Sequence, residues 1–113
     1  MTTLNQDLVD EQIYSWTEMY KKSALSYLIL TALNLSQMWS KEIEQYIATN
    51  TKWSISERAL YRVLNRMHKQ GSIEYNSTPA ERTGADRKVY AITEEGNALL
   101  AAMKNELNYL SQV

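Results

Sequence analysis

A chain of 113 residues, 44% hydrophobic and 22% charged, carries enough apolar material for one compact domain without covalent staples. It has no cysteine, which excludes disulfides, thiolate zinc sites and cysteine nucleophiles together. The formal net charge of −1 conceals a division: residues 51–93 hold eight lysines and arginines against four acids, whereas residues 1–50 and 94–113 are acidic, at −3 and −2.

The N-terminus, MTTLNQDLVDEQ, lacks the basic region and apolar run of a secretory signal. The longest apolar run, Ala24 to Leu35, is interrupted by Ser26, Tyr27, Thr31 and Asn34 and falls short of the roughly 20 residues a membrane span requires. A soluble, cytoplasmic protein with no membrane partner is the expectation. Asn5 or Asp7 can cap a first helix over 5–22, on which Val9, Ile13, Trp16 and Tyr20 recur at spacings of four, three and four. So narrow a stripe suits either the domain's own body or a subunit interface. From Ser23 to Leu35 the sequence is apolar nearly all round, as in a second helix covered on several sides.

Ser36 to Trp39 breaks that pattern, and Ser40 is expected to cap a short helix through Asn50, with Ile43, Tyr46 and Ile47 inward and Glu42 in the first turn. A short polar link leads to Ser54–Gly71. At about 100° per residue, Ala59, Leu60, Val63, Leu64 and Met67 share one face, and Arg58, Tyr61, Arg62, Asn65 and Lys69 gather opposite. Ser54 or Ser56 serves as N-cap, and Gly71 stands where a left-handed residue ends a helix. The two helices form a helix-turn-helix pair.

After Gly71 the period changes from helical to alternating. Ser72–Ser77 places Ile73 and Tyr75 on one face, and Lys88–Thr93 turns inward either Val89, Ala91 and Thr93 or Tyr90 and Ile92. Thr78–Arg87, with the only proline, reads as the polar, basic tip of a hairpin. Thr93 then caps a last helix whose first turn carries Glu94 and Glu95. Its seam of Leu100, Met103, Leu107 and Leu110 is too short for a coiled coil alone, and suits packing on another protomer or on the N-terminal helices.

The fold class is therefore mainly α with a small β-hairpin: one domain over 1–113, with a winged helix-turn-helix core at 23–93. An N-terminal helix (5–22) and a C-terminal helix (94–113) flank it, each suited to pack on the domain's own body or on a second protomer. In a winged helix the second helix of the pair enters a DNA major groove and the hairpin tip touches the backbone alongside. Arg58, Arg62 and Asn65 have the donor and acceptor forks that bond guanine and adenine edges in pairs. Tyr61 reaches a phosphate or sugar, and Arg82, Arg87 and Lys88 on the hairpin meet phosphates, which set register. Taken alone, such a basic face is usually just solvated. Here two basic elements remote in sequence fall side by side in this fold while both acidic flanks fall away from it, which favours double-stranded DNA as the partner.

Nothing in the chain reads as an enzyme. His68 is the only histidine, and no phosphate loop, nucleophile elbow or metal-ligand spacing is present, so neither cofactor nor metal is expected. Trp16 and Trp39, in a chain with eight tyrosines and no phenylalanine, belong by preference to core or interface. The alternative makes them walls of a site for a small aromatic effector held between protomers.

The runs Ser23–Leu30, Ala59-Leu60-Tyr61 through Leu64, Gly71, Arg87-Lys88-Val89-Tyr90 and Thr93-Glu94-Glu95-Gly96 closely resemble the PadR-like transcriptional regulators over about residues 20–110. The resemblance implies a dimeric winged-helix repressor whose N- and C-terminal dimerisation helices, 5–22 and 94–113, form the dimer, with Tyr61, Arg87 and Lys88 at DNA. It also implies a response to phenolic acids or lipophilic drugs in some members. The chain departs from the family pattern at Trp39-Ser40-Lys41-Glu42-Ile43, where His-Gly-Tyr-Glu-Ile is frequent, and at Arg62, where proline is frequent. A winged helix also serves as a protein-interaction adaptor, and a plasmid-partition or architectural DNA-binding protein would carry the same basic face.

Overall fold

The Asn5 side chain accepts the Leu8 N–H at 3.2 Å, and helix α1 then runs unbroken from Gln6 to Leu35. The computed structural model describes residues 3–79 and 86–113. The two helices expected over 5–22 and 23–35 are thus one. No glycine or proline separates them, and Lys21-Lys22-Ser23 alters only what surrounds the helix, not its backbone. Within the apolar half, Ser26 and Thr31 donate to the carbonyls of Ser23 and Tyr27, at 3.2 and 2.8 Å, so their hydroxyls are satisfied where the helix enters the core.

Strand β1 (Met38–Trp39) follows, then helices α2 (Ser40–Thr51) and α3 (Glu57–Gln70), strands β2 (Ile73–Pro79) and β3 (Asp86–Ile92), and helix α4 (Glu94–Ser111). The architecture is mainly helical with a small antiparallel sheet in the order β1-β3-β2, a winged helix. The hairpin strands run in register from Ile73 opposite Ile92 to Pro79 opposite Asp86, longer than the alternation alone suggests. The extra strand β1 pairs Met38 with Tyr90 and Trp39 with Val89. It turns what reads as a broken segment into the third member of the sheet.

The helix caps show where side chains set the boundaries. Ser56, not Ser54, caps α3, accepting the Ala59 N–H at 3.1 Å, and Gly71 ends it at φ 86°. Ser40 does not cap α2. That position belongs to Trp39, whose N–H donates to Glu42 Oε1 at 3.1 Å, while Ser40 is buried as the first helical residue. Between α2 and α3, Thr51 donates to the Ile47 carbonyl and accepts the Trp53 N–H, at 2.7 and 3.1 Å. Lys52 takes the left-handed conformation, φ 65°, that turns the chain.

The core lies where the C-terminal half of α1, both helix-turn-helix helices, the hairpin base and α4 meet. Ile29, Leu30, Ile43, Ile47, Leu60, Leu64, Ile73 and Tyr90 are buried there. Tyr90 and Ile92, rather than Val89 and Ala91, supply the inward face of β3, since Tyr90 is buried and Ile92 packs on the cluster. A fully buried leucine or isoleucine contributes about 1.5–3 kcal/mol, and the N-terminal half of α1 gains none of this within one chain. Ile13 is 52% and Trp16 61% exposed, and Val9 and Tyr20 are exposed beside them. The radius of gyration, 17.3 Å, exceeds the roughly 13 Å of a compact chain this long because this arm projects.

Candidate nucleic-acid interface

Burial of Leu60, Leu64 and Met67 against the core rotates the opposite side of α3 outward, where Arg58, Tyr61, Arg62 and Asn65 are all exposed, with Arg66 and Lys69. The structure thus brings the four expected helix residues onto one surface. Tyr61 has a second attachment: its hydroxyl lies 3.4 Å from Ser40 Oγ, which ties α3 to the first residue of α2. Ion pairs among the described residues are Lys21–Glu18 and Lys41–Glu44. Among those residues, therefore, no carboxylate lies within 4.0 Å of the basic groups of α3 or of Arg87 and Lys88. Glu57, in the first turn of α3, opposes the helix dipole instead.

On the wing, alternation along β3 sends Arg87 and Lys88 to opposite faces of the sheet. The Arg87 guanidinium carbon lies 3.7 Å from the centre of the Trp39 ring, and Thr78 Oγ1 donates to the Arg87 carbonyl at 3.3 Å across the hairpin. Lys88 Nζ lies 4.6 Å from the centre of the Tyr75 ring, whose other neighbours are His68 of α3 at 4.8 Å and Tyr90 at 5.7 Å. Lys88 thereby sits on the wing face that α3 packs against, and Arg87 on the opposite face, with Trp39. Arg82 lies outside the described residues. The Tyr90 hydroxyl is buried with no hydrogen-bond partner among the described residues, and burial, then the neighbouring Tyr61 and Tyr75, push its pKa up.

The residues expected at a dimer interface divide. Val9, Ile13 and Trp16 are exposed on the projecting arm, and Leu107 and Leu110 are exposed on α4. Leu100 belongs instead to the protomer's own core, 3% exposed, and Met103 packs against that core, so the α4 seam faces inward over its first half. Leu107 and Leu110, with Tyr20, Tyr27, Leu28 and Trp53, line an apolar cleft of about 420 Å³ between α1 and α4. Trp16 and Trp39, whose alternative reading makes them walls of an effector site between protomers, do not line this cleft, and within one protomer they lie in different surroundings. Trp16 stacks on Tyr20 at 5.3 Å, and Trp39 lies under the wing. The aromatic side of the cleft is formed by Tyr20, which belongs to the stripe read from the sequence, with Tyr27 and Trp53. Continued from Tyr20 at spacings of four and three, the stripe of α1 reaches Ala24 and Tyr27.

Among the described residues no group of three potential metal ligands occurs, and no helix is long and apolar enough to cross a membrane. The pattern of the transcriptional regulator PadR-like family matches residues 29–102. Among solved structures, a PadR family transcriptional regulator from Eggerthella lenta is similar at a TM-score of 0.80 and 20% identity, over 93% of this chain and 90% of its own. A PadR-like transcriptional regulator from Bacillus cereus is similar at 0.72 and 26%, over 83% and 90%. Bacillus subtilis PadR, crystallised in complex with operator DNA, is similar at 0.64 and 23%, over 71% of this chain and 45% of its own. No curated protein sequence matches the chain. The family pattern spans the end of α1, the helix pair, the hairpin and half of α4, which are the parts that build the surface described above. The chain belongs to the PadR-like family of transcriptional regulators, and it is a regulator rather than an enzyme.

Proposed function

We propose that this regulator is a cytoplasmic homodimer that represses transcription by binding a two-fold operator in duplex DNA. Arg58, Arg62 and Asn65 of α3 read base edges in the major groove, Tyr61 bonds the sugar-phosphate backbone, and the wing holds phosphates through Lys88 and Arg87 on its two faces. The observation that carries this reading is the basic side of α3, without a carboxylate partner among the described residues, next to a wing that bears two further cations. Crystallisation of Bacillus subtilis PadR with operator DNA supports the same use of the shared fold. The exposed stripe of Val9, Ile13 and Trp16 with Leu107 and Leu110 supplies the apolar area for a partner protomer, and the cleft beside it takes a small, flat aromatic effector whose binding releases DNA.

The test is to select bound fragments from genomic DNA with the purified protein and to footprint the winners. Protection of one palindrome, with half-sites about one helical turn apart, is expected. Cooperative coating of repeated sites would instead assign a partition or architectural role. Weak, sequence-blind binding at physiological salt together with tight capture of a protein would assign an adaptor.

A further inference from the structure

Trp39 occupies three positions at once. It is the N-cap of α2, with its N–H held by Glu42 at 3.1 Å. It pairs with Val89 in the wing strand, and its ring lies under the guanidinium of Arg87 at 3.7 Å. A guanidinium carbon so close to the ring centre lies against the ring face, the arrangement of a stack. A guanidinium stacked on an indole keeps its N–H edges free for a phosphate while losing most of its rotamer freedom. The backbone of the same residue starts the helix-turn-helix pair, and the hydroxyl of Ser40, the next residue, meets that of Tyr61 of α3 at 3.4 Å. A rigid path thus leads from the reading helix through Ser40 and Trp39 to the wing cation.

We infer that Trp39 is a positioning residue for DNA binding, which holds Arg87 of the wing in fixed relation to α3 by stacking under its guanidinium. This rests on the proposed DNA-binding function. Lys88, over Tyr75, has no such tie to α2 and takes its phosphate independently. The role depends on a flat aromatic face at 39 and a flat cation at 87, so neither volume nor charge alone substitutes.

The test is a double-mutant cycle in the full-length protein, with two probes: the duplex selected from genomic fragments and a random duplex of equal length. Trp39→Leu keeps apolar volume and is expected to weaken binding of the selected duplex about 3- to 10-fold and to lower the salt slope by up to about one. In an Arg87→Ala background the same change is expected to have no further effect. Trp39→Tyr restores binding to within about 2-fold. Arg87→Lys, an exposed change that leaves folding alone, reproduces the loss because its ammonium does not stack. In the free protein, the Arg87 side-chain protons are shifted upfield by the indole ring current and return to ordinary positions in Trp39→Leu. Additive losses in the cycle, or an Arg87→Lys variant that binds like the parent, overturn the positioning role and leave the proposed function standing. A parent chain that binds neither duplex overturns the proposed function itself, and this role falls with it.

Discussion

The Thr93 hydroxyl donates to the carbonyl of Gly71 at 2.6 Å while accepting the Gly96 N–H at 3.0 Å, so a single side chain closes α3 and opens α4. The Thr93 N–H adds a third tie, donating to the Ser72 carbonyl at 3.1 Å. These bonds draw α4 so near the turn at 71–72 that a β-carbon on Gly96 would fall on the Ser72 carbonyl oxygen and 2.8 Å from Ile92 Cγ1. Gly96→Ala is therefore expected to destabilise the protein by about 1–3 kcal/mol, since the obstructing atom is backbone and cannot swing aside. Thr93→Ala is expected to cost about 1 kcal/mol as a lost N-cap, and Thr93→Ser to stay close to the parent. Urea denaturation at a fixed protomer concentration measures all three.

Tyr90 presents the opposite situation, a buried hydroxyl without a partner among the described residues. Tyr90→Phe removes that uncompensated group, keeps the ring against Tyr75, and is expected to leave stability unchanged or raise it by up to about 1 kcal/mol. Burial raises the Tyr90 pKa above its ordinary 10.0. Below about pH 10 the phenol is neutral in both states and contributes no pH dependence. Above it the unfolded chain loses the proton while the folded chain keeps it, so the stability contributed by this group falls as pH rises. Comparing parent and Tyr90→Phe between pH 8 and 11 isolates the effect from the other tyrosines. A steeper alkaline loss is expected in the parent.

What could be read in advance follows the range of the interaction. The caps at Ser56, Gly71 and Thr93 are local, each satisfied within a few residues, and the amphipathic face of α3 is local as well. The two-residue strand β1 is not, because its partners Val89 and Tyr90 lie some fifty positions away and Met38-Trp39 is too short to show a period. The stack of Trp39 under Arg87 is a consequence of that register and was equally hidden. Continuity of α1 was masked for another reason. Burial changes abruptly after residue 23, and a change in burial looks like an element boundary when only the apolar pattern is followed.

On the proposed DNA face, Arg62 and Arg87 are expected to fail differently. Arg62→Ala removes a donor fork from the reading helix and should cost about 1–3 kcal/mol on the operator while relaxing preference at one base position. Arg87→Ala removes a phosphate contact and should weaken specific and random duplexes alike, lowering the slope of log K against log salt by about one. Titrations at several salt concentrations with both duplexes separate the two patterns. Equal binding by both variants and the parent would move the interface off these faces.

Leu107 tests dimerisation. The residue is 42% exposed in the protomer and lies beside Leu110, which is 69% exposed, on the half of α4 that has left the core. A charge there disturbs little within one chain, so Leu107→Glu is expected to keep the helical signal of the parent. If α4 packs against a partner protomer beside the projecting arm of α1, the same carboxylate is buried in an apolar interface without a counter-charge, which costs several kcal/mol. Sedimentation should then report a monomer. Operator affinity should fall by about 100-fold or more, because one protomer reaches only one half-site. Ile13→Glu on the arm completes the test: monomer from both variants places the interface across α1 and α4 together, whereas an unchanged dimer in Leu107→Glu confines it to the arm.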